Sequence, residues 1–148
     1  MEIALAKHFN YRQNLIIPNV SWGFLDHEAD LIVISKSNYL IEIEIKVSAS
    51  DLKKDKNKKH SHCDRENRIK ALWFALPETL IDHINHIPEN AGILIVSKTK
   101  NFYRVKTIRS PKPYKKFRKL TDDEILKLYR LASMRTWSLK QKLLNLSL

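Results

Sequence analysis

The sequence predicts an α/β fold: a mixed central sheet flanked by helices, followed by a basic segment and a long C-terminal helix. Strand-like and helix-like hydrophobic periods alternate along the chain, which is typical of this class. The 148 residues suit one domain, and the 43% of hydrophobic residues can form its core. A single cysteine and the absence of any apolar run near ~20 residues favour a cytoplasmic protein with no membrane partner.

The N-terminal half is predicted to contain a helix and three strands. Ile3, Leu5 and Phe9 repeat at helical spacing over residues 2–12. Residues 15–17 read as a short strand that Pro18 ends. Residues 29–35 and 39–47 are rich in β-branched residues, and the short turn between them predicts a hairpin.

The remaining elements continue the alternation. Ser48 is a candidate N-cap for a helix over residues 51–58, and residues 71–76 read as a strand followed by a helix at 78–86. Two more strands are expected at residues 91–97 and 102–108. Thr121 and Glu124 form a capping box that opens a helix reaching about residue 145. We expect residues 1–110 to form the core and residues 111–148 to pack on the same domain as a basic segment and helix.

The positive charge lies in the last third of the chain. Residues 1–97 hold 12 basic and 13 acidic residues, whereas residues 98–148 hold 15 basic and 3 acidic residues, and the whole chain carries +11. This asymmetry favours a polyanionic partner, most simply DNA, although a solvated basic tail or a contact with anionic lipid would share it. The densest part, at residues 112–119, interleaves basic with aromatic residues and is the best candidate for a phosphate-contacting surface.

The charged residues that suggest a catalytic site lie on the predicted hairpin. Glu44 and Lys46 leave the same face of one strand, and pairing near the turn places Asp30 opposite Glu44. Two adjacent carboxylates repel unless a cation lies between them, and a few hard oxygen ligands suit Mg²⁺ or Mn²⁺. The alternative is a wet strand face on which Glu42, Glu44 and Lys46 form ordinary ion pairs.

These residues resemble the signature of the PD-(D/E)xK nuclease superfamily: Ala29-Asp30, thirteen intervening residues, then Glu44-Ile45-Lys46. The following Val47-Ser48, with Asp51 and Asp55, is similar more narrowly to the MmcB-like DNA-repair nucleases. The resemblance covers about residues 1–108 and implies a restriction-endonuclease-like core. Ala29 replaces the proline of the superfamily's name.

The resemblance implies a role for each matching position. Asp30, Glu44 and the Ile45 carbonyl would bind the metal, Lys46 would be the catalytic lysine, and Glu2 would be the first-helix glutamate. The residues expected to contact nucleic acid are Ser48, Lys58, Lys59, His60, Lys115, Lys116, Arg118 and Lys119.

The expected function is therefore Mg²⁺-dependent hydrolysis of DNA, by an endonuclease acting in DNA repair or processing. An alternative is a catalytically inactive nucleic-acid-binding protein with the same fold. A third interpretation makes the leucine-rich end of the last helix a homodimer face, and packing of that end against the protein's own sheet is favoured over it. Trp22, Trp73 and Phe74 are expected in the core, with base stacking as the lesser alternative.

Overall fold

One six-stranded mixed sheet organises the computed structural model, which describes residues 1–21, 23–56 and 66–146. Its strands are β1 (Leu15–Val20), β2 (Ala29–Ile34), β3 (Leu40–Ile45), β4 (Ile69–Pro77), β5 (Gly92–Lys98) and β6 (Tyr103–Arg109). Its helices are α1 (Glu2–His8), α2 (Ala49–Lys56), a 3₁₀ helix (Glu78–His86) and α3 (Asp122–Leu146).

The strands lie in the sheet in the order in which they occur in the chain. β1, β2 and β3 form an antiparallel meander, β3, β4 and β5 are parallel, and β6 returns antiparallel to β5. Each parallel step needs a crossover, which the segments containing α2 and the 3₁₀ helix supply. The predicted α/β class with a mixed sheet is confirmed.

Of the boundaries that differ from the prediction, two have an evident structural reason. β1 continues through Pro18 to Val20, because β1 is an edge strand and a proline that cannot donate a hydrogen bond is tolerated there. α1 ends at His8, four residues before the predicted end, and Asn10 follows in a left-handed conformation with φ of 54°.

Both faces of the sheet are covered near β3. On one face, Ala4 and Leu5 of α1 pack against Leu31, Val33 and Ile43. On the other face, a cluster formed with residues 24–25 and α3 covers β1 and β2, and a second cluster formed with α2 and the 3₁₀ helix covers β4 and β5. The central strand therefore has no face that is freely exposed to solvent.

The last third of the chain packs on this core. Leu120 and Leu128 are buried in the cluster that contains Ile17, Ile32 and Ile34. The predicted capping box is present: the Thr121 N–H donates to Glu124 Oε2 over 2.8 Å, and the Glu124 N–H donates to Thr121 Oγ1 over 3.3 Å. The start of α3 is thus fixed both by its cap and by apolar packing.

The leucine-rich end of α3 does not pack on the sheet, so the interpretation favoured from the sequence is wrong there. The first half of α3 covers β1. A helix of 25 residues is ~37 Å long, so the second half of α3 extends beyond the sheet. Large apolar side chains beyond it are exposed: Met134, Trp137, Leu139, Leu143, Leu144 and Leu146. None of the helices in the described residues is long and apolar enough to cross a membrane.

Candidate functional site

The hairpin register is the one that the sequence predicts. Leu31 pairs with Ile43 and Ile34 with Leu40, and the same register continued by one residue places Asp30 opposite Glu44. Asp30 is fixed at this point because its Oδ2 accepts a hydrogen bond of 2.7 Å from the backbone N–H of Ile45. Asp30, Glu44 and Ile45 therefore meet where β2 begins and β3 ends.

The charged face of β3 is buried, so its interpretation as a wet face with ordinary ion pairs is wrong. Only 0% of Glu42, 6% of Glu44 and 8% of Lys46 is exposed. The cause is the central position of β3, because the elements on that face cover its side chains. Charged groups at such depth are costly unless they are paired, which marks the cluster as a candidate site.

Glu44 and Lys46 form a buried ion pair. Lys46 Nζ donates to Glu44 Oε2 over 3.0 Å. The pKa of Glu44 is nevertheless raised to about 7, first by burial and then by repulsion from Glu42, while Lys46 acts in the opposite direction. Asp30 adds a smaller repulsion in the same sense as Glu42. Lys46 thus offsets only part of the effect that burial and the neighbouring carboxylates have on Glu44.

His27 is part of this cluster and was missed by the sequence analysis. Its Nε2 lies 2.5 Å from Oε1 of Glu42, the most deeply buried carboxylate of β3. His27 belongs to the segment between β1 and β2, which has no periodic pattern. The contact between the His27 imidazole and the charged face of β3 could therefore not be predicted from the sequence.

An open cleft of about 540 Å³ lies beside Asp30. The start of α1 forms one wall, with the exposed Glu2 among its residues. The described residues that line it are Met1, Glu2, Ile3, Ala4, Asp30, Ile45, Val47 and Tyr103. The structure therefore brings Glu2 to the same cleft as Asp30 and Ile45, as the resemblance implies.

The donor set at the end of the hairpin fits a small hard cation. Two carboxylates, of Asp30 and Glu44, and one backbone carbonyl offer only oxygen ligands, and Mg²⁺ is commonly bound through one or two carboxylates with waters completing its shell. Burial, and after it repulsion from Glu42, raises the pKa of Glu44, and a bound cation would favour its charged form. Within the described ranges, no three His, Cys, Asp or Glu side chains form a ready metal cage.

Ser48 has a local structural partner. Its Oγ accepts a hydrogen bond of 3.2 Å from the N–H of Asp51 and lies 3.0 Å from Ser50 Oγ, which confirms its expected role as the cap of α2. Its expected contact with nucleic acid stays a prediction. Lys58, Lys59, His60, Trp22 and the side chain of Asp55 lie outside the described residues.

The basic segment lies at the other end of the sheet from Asp30. Its backbone N–H groups at Tyr114 and Leu120 donate to the carbonyls of Lys70 and Asn38, which lie beside the start of β4 and before β3. Four residues of β3 separate Leu40 from Glu44, or ~13 Å along the strand. Lys115, Lys116 and Lys119 are exposed on this segment and free of ion pairs with the described residues.

The structure gives Arg118 a different role from the expected phosphate contact. Its guanidinium donates two hydrogen bonds to the carboxylate of Glu124, of 2.8 and 2.7 Å, and a third to Glu66. This bidentate pair joins the basic segment to the first turn of α3. The contact with Glu66, 52 residues away, could not be predicted from local sequence.

Trp73 and Phe74 are core residues, as expected. Phe74 is buried between β4 and the 3₁₀ helix, and Trp73 packs edge-on against Phe9 with ring centroids 5.9 Å apart. Phe74 is fully buried, whereas Trp73 is half-buried against the cluster of Ala4 and Leu5.

Comparison with known proteins places the chain at the level of fold. No family model matches it, and neither does any curated protein. A solved structure of a protein of unknown function from Silicibacter pomeroyi is similar over 95% of this chain and 86% of that one, with a TM-score of 0.61 and 15% sequence identity. At this identity the similarity supports the mixed α/β architecture with its central sheet and flanking helices, and it gives no activity.

Proposed function

We propose that this protein is a metal-dependent nuclease that hydrolyses phosphodiester bonds in DNA. The observation that carries the proposal is the buried Glu44–Lys46 pair, which lies next to Asp30 at the end of the β2–β3 hairpin, where Asp30 and Ile45 line an open cleft. Buried ion pairs cost desolvation energy that well-packed apolar residues would not. Such a cluster at the end of a central strand is therefore better explained by chemistry than by stability.

Each residue has a role that its contacts support. Asp30, Glu44 and the Ile45 carbonyl would hold Mg²⁺ or Mn²⁺, which supplies Lewis-acid polarisation and charge neutralisation at a phosphate oxygen when bound. The bond from the Ile45 N–H to Asp30 fixes the orientation of that carboxylate before substrate arrives. Lys46 would orient the attacking water and stabilise the negative charge that develops on the phosphate. Glu2 would act from the opposite wall of the cleft.

The charge of the chain supports DNA as the partner. The net +11 is concentrated after residue 97, and Lys115, Lys116 and Lys119 are exposed on the basic segment. Such cations bind the phosphate backbone without reading sequence. A role in DNA repair or processing agrees with a protein that binds the DNA backbone through charge and without reading sequence.

The test is a cleavage assay on labelled duplex, single-stranded and branched DNA with Mg²⁺, Mn²⁺ or a chelator. Asp30→Ala and Glu44→Ala should each abolish cleavage, and Lys46→Ala should lose turnover while keeping metal affinity. Glu28→Gln is the matched control, because Glu28 is exposed two residues before Asp30 and should be dispensable.

The alternative function is DNA binding without catalysis on the same fold. Wild-type protein that binds the DNA panel but cleaves none of it with either metal would favour this alternative. Cleavage that survives Asp30→Ala would instead show that the nuclease site lies elsewhere.

A further inference from the structure

The cleft beside Asp30 has walls that suit a nucleobase. Apart from the two carboxylates of Glu2 and Asp30, its side chains are apolar or aromatic, and no lysine or arginine is among the described residues that line it. Its volume of about 540 Å³ falls within the ~300–1,000 Å³ of small-molecule sites. The flat apolar face of a base would meet matching surface on these walls, beside the place at Asp30 where the proposed metal would hold a phosphate.

Tyr103 is positioned to stack on such a base. It is the first residue of β6, and 49% of it is exposed. Val105, two residues further along the strand, packs in the cluster of Ala4 and Leu5, so Tyr103 leaves the sheet on the side of α1. The ring is therefore on the same side as the cleft that it lines with Asp30.

The turn before Tyr103 is held rigidly. Thr99 Oγ1 donates to the Phe102 carbonyl over 2.7 Å and accepts from the Phe102 N–H over 3.2 Å. The Thr99 N–H donates to the same carbonyl over 2.8 Å. An aromatic ring on a pre-ordered strand end loses little conformational freedom on binding, which favours affinity.

A cation lies against this ring outside the cleft. Lys98 pairs with Tyr103 across the β5–β6 ladder, and its Nζ lies over the Tyr103 ring, 6.0 Å from the ring centroid. A base would therefore stack on the other face of the ring, and a phosphate next to that base would meet the Lys98 ammonium. This separation, with apolar surface inside and a cation at the rim, is the arrangement found where proteins bind single strands.

We propose that the cleft receives an unpaired nucleobase from single-stranded or frayed DNA, with Tyr103 as its stacking platform. The proposal rests on the proposed nuclease function and names the substrate form. In an intact duplex every base is stacked on its neighbours, so its faces are not offered to a protein ring. Unpaired DNA offers them without any cost of opening the helix.

The test measures binding, in Ca²⁺ so that no cleavage is required. A short fluorescent oligothymidylate is titrated with wild-type protein, Tyr103→Ala, Tyr103→Phe and Tyr11→Ala. Loss of one stacking contact should weaken binding by about 5- to 150-fold in Tyr103→Ala, whereas Tyr103→Phe keeps the ring and the affinity. Tyr11 is similarly exposed and lies outside the cleft, so its removal should change nothing.

A second probe separates the base from the backbone. An oligomer of the same length made of abasic sugar-phosphate units should bind wild-type protein as weakly as oligothymidylate binds Tyr103→Ala. Equal wild-type affinities for the two oligomers, no binding of either, or an unchanged affinity in Tyr103→Ala would overturn the proposal. Cleavage that needs Asp30 but not Tyr103 would support the nuclease function and contradict the base-binding cleft. Binding that depends on Tyr103, without any cleavage, would support the base-binding cleft and contradict the nuclease function.

Discussion

At the scale of the residue, the charge state of Glu44 determines what the site can do. Its carboxylate is buried between the like charges of Glu42 and Asp30 and the single ammonium of Lys46. Because its pKa is raised to about 7, Glu44 is partly protonated near neutral pH. The sequence predicted the meeting of these groups but not the raised pKa, because alternation along a strand shows which face a side chain takes and not how deeply that face is covered.

The neighbours of Glu44 should move its pKa in opposite directions. Lys46→Met removes both the attraction and the hydrogen bond, so the pKa should rise above about 7. Glu42→Gln removes a like charge and should lower it. NMR titration of the isotope-labelled Glu44 carboxyl group measures both shifts. A pKa that is the same in both variants as in wild type would show that the three groups are not coupled.

Glu124 should make stability depend on acid pH. Arg118 holds the pKa of Glu124 down to about 2, below the ordinary 4.5, so this stabilisation is complete above pH 4.5 and is lost as the pH falls toward 2. Glu124→Gln keeps the capping box but loses the charge, so its urea stability should fall less between about pH 7 and about pH 3. Asp122→Asn, at an exposed site in the same helical turn, should retain the wild-type pH dependence. If wild type and Glu124→Gln lose equal urea stability between about pH 7 and about pH 3, the ionised Glu124 is not the source of the pH dependence.

At the scale of the element, the hairpin and the caps could be predicted because local patterns determine them. The β2–β3 register follows from a short turn, and the starts of α2 and α3 follow from Ser48 and from Thr121 with Glu124. The passage of β1 through Pro18 could not be predicted, because it depends on β1 lying at the edge of the finished sheet. The burial of the charged face of β3 depends in the same way on where the helices pack.

The contact between β4 and β5 depends on a residue without a side chain. A Cβ atom at Gly92 would lie 2.3 Å from Cε3 of Trp73, its partner across the ladder. Gly92→Ala should therefore destabilise the fold by about 1–3 kcal/mol through overpacking. Urea unfolding measures this loss, and the same substitution in a Trp73→Leu background should cost less. An equal cost in both backgrounds would show that the indole is not the cause.

At the scale of the whole molecule, the carboxylate cluster and the basic segment lie at opposite ends of the sheet. The sequence predicted each feature but could not show their separation, because it depends on the path of residues 111–120 past the start of β4. Nor could it show that Arg118 is engaged by Glu124 and Glu66. A DNA segment that touches both ends must follow the protein over the ~13 Å from the start of β3 to Glu44, so binding and chemistry should be separable.

A salt titration of DNA binding tests this separation. Replacing Lys115, Lys116 and Lys119 with Ala should flatten the log–log salt dependence by up to ~3 units, since each lost phosphate contact removes about 0.9. Maximal turnover at saturating DNA should stay near wild type, and the loss should be similar for unrelated sequences. The charge-matched control replaces Lys127, Lys140 and Lys142 of α3. If the two triple variants give the same slope, the basic segment is not the preferred DNA surface.

The exposed end of α3 is the surface through which a homodimer would form. A homodimer through Trp137 and the leucines that follow it stays a prediction, and Leu139→Lys with Leu143→Lys would disrupt it. Sedimentation should then show a dimer for wild-type protein and a monomer for the double variant. A wild-type monomer at high concentration would contradict it.

Calorimetric titration with Mg²⁺ above neutral pH, where Glu44 is ionised, tests the central claim most directly: that the carboxylates at the ends of β2 and β3 hold a divalent ion. Wild-type protein and Glu28→Gln should each bind one ion at the site, while Asp30→Asn and Glu44→Gln should lose most of that affinity. Equal affinity in Asp30→Asn, Glu44→Gln and wild-type protein would contradict the claim, because the ion would then be held by other residues.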